Sequence, residues 1–390
     1  MSKAIFSEIK ADQLVALLEH SIQQRMITGK MITILLIGNH GIGKTSIPEQ
    51  VCMNHVFGNG PWAFGMCPLA EISESGDIAG LPILGEDDSG NKITTTARAD
   101  FLPDPEDTRP GIFLVDDFNR AMPHILQAFM RLSMSGEYRG WRMPRNQILV
   151  LTGNPEDSKY NTSATDAAQT DRMYRVQMVF DVKSWLDWAS AVTERSINRI
   201  TDAKSGKITT ETIEDARIDS RVVGIVMKTY ADKMQMSSFP WGTPRETERL
   251  SNIIYGTDDR TAIRIAEQLN KEFAAQLHGY IEFRKELPSI SELFGMSPEE
   301  IDKIMKGCSR SQKMVLVYEI ALHFVETRGG KHKEEKALAE KLAIILASIH
   351  LPNDMLAGIV SILKEKWSVL LGRLTNQSMT AITRKLGNVT

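Results

Sequence analysis

A glycine-rich stretch that ends in a lysine and a threonine constrains this chain more than any other feature. An apolar run rich in β-branched residues, 32–37, leads directly into it, as is typical of a strand buried in a parallel sheet. The segment after it, 46–53, predicts a helix with Pro48 in the first turn, where a missing N–H is tolerated. Every fixed position of the pattern G-x-x-x-x-G-K-[ST] is filled, by Gly38-Asn39-His40-Gly41-Ile42-Gly43-Lys44-Thr45.

Strand, glycine loop and helix in this order predict a phosphate-binding loop, or P-loop. Glycines let the backbone bend around a phosphate group and point N–H groups at it, and the helix N-terminus adds its positive end. Lys44 is expected to reach the β- and γ-phosphates, and the Thr45 hydroxyl to ligate Mg²⁺. We therefore expect the loop, from Gly38 to Ser46, to bind ATP with Mg²⁺. The alternative is a glycine-rich turn that binds nothing.

A second apolar run, 111–115, ends in the acid pair Asp116 and Asp117. Since the carboxyl ends of parallel strands meet at one edge of a sheet, the acid pair is expected beside the P-loop. Asp116 would then hold Mg²⁺, and Asp117 would polarise an attacking water. The alternative is a strand followed by an ordinary acidic turn.

A third apolar run, 147–152, ends in Gly153-Asn154-Pro155. An amide at the tip of a neighbouring strand can orient the same water, so Asn154 joins the predicted catalytic residues. Asn-Pro after a strand is also common turn chemistry, and the prediction depends on the order of all three runs.

These motifs, taken in order, resemble a AAA+ ATPase over roughly residues 10–255. Two later segments add to the resemblance, Thr170-Asp171-Arg172-Met173 and Thr243-Pro244-Arg245. Within that superfamily the chain is similar to the MoxR-like branch, the relatives of magnesium-chelatase and dynein-type modules. The most specific stretch is Asp116-Asp117-Phe118-Asn119-Arg120-Ala121, since the branch usually carries Asp-Glu-x-Asn-Arg-Ala.

The resemblance assigns roles to single residues. Asn154 matches the first sensor, and Arg245 matches the second sensor arginine of a small lid domain. Arg172 stands where the family places an arginine finger, which reaches the nucleotide of a neighbouring subunit, so the resemblance implies a homo-oligomeric ring, a hexamer. Asp117 replaces the family's glutamate and is one methylene shorter, which affects how a general base reaches its water.

The predicted fold is α/β, with a parallel AAA+ sheet flanked by helices and helical segments after it. We expect a nucleotide-binding domain over 1–180, a helical lid over 181–280 and a helical C-terminal extension over 281–390. Ser297 and Glu300 predict a capped helix start in the extension.

Composition favours a water-soluble cytoplasmic protein of two or three domains. The 390 residues carry a net charge of -3, which gives no general attraction to nucleic acid or anionic membrane. The cysteines Cys52, Cys67 and Cys308 are too far apart to suggest a disulfide framework or a metal cluster. No apolar run reaches the length of a membrane span, and the N-terminus lacks the apolar core of a signal peptide.

The predicted activity is ATP hydrolysis that remodels a protein partner, and the family suggests a partner with a von Willebrand factor A domain. A DNA-directed motor or helicase loader is an alternative, favoured by Arg139, Arg142 and Arg145 but not by the net charge. In the family, the region around 137–142 carries a hairpin that can face the ring's pore, where aromatic and arginine side chains could grip a peptide or a single nucleic-acid strand. The other interpretation is an ordinary hairpin. A third hypothesis, suggested by Asp117, is a switch that binds ATP and hydrolyses it slowly.

Overall fold

The computed structural model describes most of the chain, which divides into two compact units, Met1–Phe180 and Asp181–Thr390. The described residues are 7–86, 89–138, 141–155, 173–202, 207–233, 236, 238–326, 340–341, 343–348, 351, 380, 382 and 384.

The first unit contains twelve strands and four helices within its described residues. The strands are β1 Ser7–Ile9, β2 Thr33–Gly38, β3 Val56–Phe57, β4 Gly60–Pro61, β5 Ala63–Pro68, β6 Pro82–Glu86, β7 Lys92–Thr96, β8 Gly111–Asp116, β9 Glu137–Tyr138, β10 Trp141–Arg142, β11 Gln147–Gly153 and β12 Tyr174–Met178. The helices are α1 Ala11–Thr28, α2 Ser46–Asn54, α3 Ser75–Ala79 and α4 Pro123–Ser135.

Six of these strands form one parallel sheet in the order β1-β12-β2-β11-β8-β5. This confirms the predicted α/β fold class. The strand that carries the P-loop, β2, and the strand that carries the acid pair, β8, are not neighbours. β11 lies between them, with Leu151 paired to Leu35 on one side and to Val115 on the other. Asn154, which follows β11, is thereby placed between the P-loop and the acid pair.

Successive side chains of a strand point to opposite faces of the sheet, and in these strands both sets are apolar. Both faces are therefore covered by helices. One face packs against α4 and the other against α1 and α2. The first face includes Leu35, Phe113, Val115, Leu149 and Leu151 with Ile125, Phe129 and Leu132 of α4. The second includes Ile34, Leu36, Ile112, Leu114, Ile148 and Val150 with Leu14, Leu18 and Ile22 of α1 and Val51 and Cys52 of α2. Each large buried side chain contributes about 1.5–3 kcal/mol, so the sheet gives the site a rigid base.

The second unit is mainly helical, as predicted for the region after the sheet. Within its described residues no helix is long and apolar enough to cross a membrane, and the same holds for the first unit. The helices are α5 Val182–Ser190, α6 Ser220–Lys233, α7 Pro244–Ile254, α8 Asp259–Leu269, α9 Lys271–Lys285, α10 Ile290–Gly295, α11 Pro298–Gly307 and α12 Arg310–Glu326.

One segment of the second unit differs from the prediction that 181–280 is helical. An antiparallel hairpin, β13 Val192–Asp202 and β14 Lys207–Ala216, stands between α5 and α6. Both arms are rich in isoleucine and threonine, whose branched side chains favour strands over helices. The expected end of the lid at residue 280 falls inside α9.

Candidate nucleotide-binding site

The P-loop joins β2 to α2 and requires glycine for two different reasons, backbone conformation and space. Gly41 and Gly43 have φ of 70° and 102°, the left-handed region that side chains rarely adopt. At Gly38 the obstacle is space, since a Cβ there would lie 2.8 Å from the Met178 carbonyl oxygen of β12. Pro48 is the third residue of α2, within the first turn as predicted.

Lys44 is buried, and its ammonium group folds back across the loop. Nζ donates to the carbonyl oxygens of Gly38 at 2.8 Å and Asn39 at 2.9 Å. It also donates to Oδ1 of Asn154 at 3.2 Å. Three acceptors match the three N–H bonds of an ammonium group, which a buried charge requires. The lysine of the P-loop therefore contacts the tip of the neighbouring strand.

The Thr45 hydroxyl meets the first residue of the acid pair. Its Oγ1 donates to Oδ1 of Asp116 at 3.1 Å, and the hydroxyl of Thr152 also donates to that oxygen. Asp116 ends β8, so its carboxylate lies at the same sheet edge as the loop. A hydroxyl beside a carboxylate is a set of hard oxygen donors that suits Mg²⁺, and these two residues fit the predicted metal position.

Asp117 has a left-handed backbone, with φ of 51° and ψ of 39°, unlike every other non-glycine residue in the described ranges. Its Oδ1 accepts from Nδ2 of Asn154 at 3.1 Å, and its Oδ2 accepts from Nη1 of Arg120 at 3.0 Å. Its own N–H donates to Oγ1 of Thr152 at 3.1 Å. Aspartate tolerates this conformation better than most residues do.

Asn119 fixes Asn154 in place. The buried Asn119 amide donates from Nδ2 to the Asn154 carbonyl oxygen at 2.7 Å and accepts from the Asn154 N–H at 3.0 Å. Gly153 leaves room for it, since a Cβ there would lie 2.9 Å from Oδ1 of Asn119. These two hydrogen bonds direct the Asn154 side chain between Lys44 and Asp117.

The structure brings together five of the predicted residues, Lys44, Thr45, Asp116, Asp117 and Asn154. The connecting roles of Asn119, Arg120 and Thr152 were missed. The sequence did point to Asn119 and Arg120, because Asn-Arg-Ala is the triplet on which the family resemblance depends.

Two further arginines were predicted as site residues, one for the ring and one for the lid. Arg172 lies outside the described residues. Arg245 is exposed in the first turn of α7 in the second unit, a helix that Thr243 caps and Pro244 begins. The roles of both arginines stay predictions.

Strands β9 and β10 pair antiparallel, as expected of a hairpin, but their aromatic residues do not project outward. Tyr138 and Trp141 are each 8% exposed and belong to the core beside Phe113. Nε1 of Trp141 donates to the Pro103 carbonyl oxygen at 2.9 Å. The prediction that these aromatics grip a substrate in a pore is therefore wrong, because both rings are packed in the core.

Two of the three arginines that favoured a DNA-directed motor, Arg142 and Arg145, lie within the described residues. Arg142 is exposed and pairs with Glu137 at 3.1 Å. Arg145 lies just before Gln147, which begins β11 opposite Gly111, the first residue of β8. This is the sheet edge opposite the acid pair. Arg139 lies outside the described residues.

Burial keeps two of the three thiols inert. It raises the pKa of Cys52 and that of Cys67 to about 12, so both stay protonated at neutral pH. Cys308 is half-buried, and its pKa is raised for the same reason.

Comparison with known proteins gives weak similarity. No family model matches the chain, and no curated protein is similar to it. NtrX from Brucella abortus in complex with ADP is 15% identical, with a TM-score of 0.33 over 91% of this chain and 68% of NtrX. A DNA polymerase III gamma subunit-related protein from Thermotoga maritima is 16% identical, with a TM-score of 0.26 over 95% of this chain and 98% of that one.

A candidate ATPase from Cytophaga hutchinsonii is 14% identical, with a TM-score of 0.28 over 44% of this chain. The match spans about half of that protein, 51% of its length. At TM-scores this low, the fold assignment rests on the sheet order and the loop geometry described above.

Proposed function

We propose that this protein is an ATPase that binds and hydrolyses ATP with Mg²⁺ at the P-loop. The main support for the proposal is the position of Asn154. Its side-chain amide forms hydrogen bonds with both Lys44 of the P-loop and Asp117 of the acid pair. Three segments far apart in the sequence thus meet at one sheet edge. A glycine-rich turn with no ligand gives no reason for a lysine, an amide and two acids to converge there.

Each residue has a role in phosphoryl transfer, where positioning and charge stabilisation supply most of the catalysis. The loop N–H groups and Lys44 bind the phosphates. Thr45 and Asp116 would hold Mg²⁺, which would neutralise charge on the phosphate oxygens. Asp117 accepts the proton of the attacking water, and Asn154 orients that water and the carboxylate.

The finer assignment rests on the family resemblance. We propose a MoxR-like AAA+ protein that forms a homo-oligomeric ring, a hexamer, in which Arg172 reaches a neighbour's nucleotide and Arg245 acts as a sensor. Its work is the remodelling of a protein partner, such as one with a von Willebrand factor A domain. The burial of Tyr138 and Trp141 removes a grip by these aromatics as an argument for either a peptide or a nucleic-acid substrate.

A switch with slow turnover is the second candidate, and the environment of Asp117 favours it. Both carboxylate oxygens accept hydrogen bonds, one of them from an arginine. The two hydrogen bonds fix the direction of the carboxylate, so an attacking water has to reach one of its remaining lone pairs. Hydrolysis is slow if the attacking water is held away from those lone pairs.

Phosphate release from ATP by the wild type and by two Asp117 variants tests the proposal. We expect Mg²⁺-dependent release by the wild type, and a loss of about 10²-fold or more in Asp117→Asn, in line with the contribution of a general base. ATP binding should persist in this variant. Asp117→Glu should release phosphate at the wild-type rate or faster if the short side chain of Asp117 limits the rate.

Equal rates in the wild type and Asp117→Asn would remove Asp117 from the mechanism. Tight ATP binding with no release by the wild type or by Asp117→Glu would favour the switch.

A further inference from the structure

Thr152 occupies a position between the two acids that neither the motif nor the family roles assign. It lies near the end of β11, paired with Leu36 of β2, and is fully buried. Its hydroxyl contacts both members of the acid pair, bonding Oδ1 of Asp116 and the backbone N–H of Asp117.

The direction of these hydrogen bonds follows from the chemistry of the groups. The Asp117 N–H can only donate, so the hydroxyl oxygen of Thr152 accepts there. Its single proton is then free to point at Asp116, whose ionised carboxylate can only accept. Oδ1 of Asp116 receives a second hydroxyl proton from Thr45 at 3.1 Å. The result is a chain of hydrogen bonds from the Asp117 backbone to the P-loop threonine.

We infer that Thr152 is a positioning residue that fixes the Asp116 carboxylate for Mg²⁺ and ties it to the Asp117 backbone. The inference deepens the proposed function and rests on it. Without the hydroxyl, Asp116 keeps the hydrogen bond from Thr45 but loses the one from β11, so its carboxylate can rotate. Asp117, whose backbone is left-handed, loses the acceptor of its N–H.

A purely structural role is the competing explanation, because threonine is a good strand former. Valine has the same branched shape and the same preference, and lacks only the hydroxyl. Thr152→Val therefore separates the hydroxyl from the packing, and Thr152→Ser restores the hydroxyl with less bulk.

The sheet also offers a matched control. Thr33 is buried at the start of β2, at the opposite sheet edge, and its hydroxyl donates to the Ser133 carbonyl oxygen at 2.6 Å. Thr33→Val removes a buried threonine hydroxyl from the same sheet without touching the acid pair. Any change in the Mg²⁺ affinity of Thr33→Val shows what the loss of a buried threonine hydroxyl does by itself.

The experiment titrates MgCl₂ into each protein with a fluorescent ATP analogue and reads binding, not turnover. We expect Thr152→Val to weaken the apparent Mg²⁺ affinity about 10- to 100-fold, the range for residues that orient metal ligands. Thr152→Ser and Thr33→Val should stay near the wild type. In EDTA, the analogue should bind the wild type and Thr152→Val equally, because Lys44 and the loop are unchanged.

Wild-type Mg²⁺ dependence in a folded Thr152→Val protein would overturn the positioning role alone. A wild-type protein that binds the analogue neither with nor without Mg²⁺ would overturn the proposed function, and the inference with it. If Thr152→Val does not fold, the comparison of Thr152→Ala with Thr152→Ser decides. Equal Mg²⁺ affinities in those two variants would overturn the role.

Discussion

At the residue scale, the site is a set of short polar side chains that hold one another in place. Asp117 adopts a backbone conformation that costs of order 1 kcal/mol or more, and the structure offsets this with the Thr152 acceptor, the Asn154 amide and Arg120. Such strain persists where the surroundings fix it, and it aims the carboxylate toward Asn154. Asn154 is held in turn by Asn119.

Sequence reasoning located the residues of this cluster but not their connections. Lys44, Thr45 and the acid pair follow a spacing that the chemistry of phosphate and Mg²⁺ requires, so the pattern alone indicates them. The bonds from Thr152 to Asp116 and Asp117 depend on which strands are neighbours. That adjacency is a property of the whole sheet and leaves no local pattern.

At the element scale, the elements with a clear local pattern in the sequence were predicted, and those without one were missed. Strands β2, β8 and β11 are buried on both faces and read as apolar runs, and the start of α11 carries the capping box that Ser297 and Glu300 predicted. The hairpin of β13 and β14 was missed because polar residues interrupt its β-branched ones. The insertion of β11 between β2 and β8 could not be read from the order of motifs.

The β9–β10 hairpin gives a prediction at this scale. Trp141→Ala removes a ring that is 8% exposed, and we expect it to lower the free energy of unfolding by about 3 kcal/mol or more. Arg142→Ala breaks an exposed ion pair and should cost about 1 kcal/mol at most. Urea denaturation followed by circular dichroism measures both. Similar small losses in the two variants would contradict the buried position of Trp141.

At the scale of the whole molecule, the proposed ring makes the site a shared one. Mixing two inactive proteins, Lys44→Ala and Arg172→Ala, tests this. In a mixed ring some interfaces join an intact P-loop to an intact Arg172, so ATPase activity should partly return. An arginine finger can contribute about 10³-fold or more, so the recovery should be easy to detect.

Labelled subunits show whether the two proteins exchange. Exchange without recovery at any mixing ratio would rule out a role for Arg172 across subunits. Arg172→Ala alone should still bind ATP, because its own P-loop is untouched.

The most direct test of the nucleotide site is ATP affinity in Lys44→Ala. Lys44 supplies the positive charge at the loop, and loss of a hydrogen bond to a charged group costs about 1.5–3 kcal/mol, or about 10- to 100-fold in affinity. Lys92→Ala, which removes an exposed lysine of β7, is the matched control. Titration of a fluorescent ATP analogue with Mg²⁺ should show this loss for Lys44→Ala and none for Lys92→Ala. A folded Lys44→Ala protein that binds the analogue as tightly as the wild type would contradict the assignment of the P-loop.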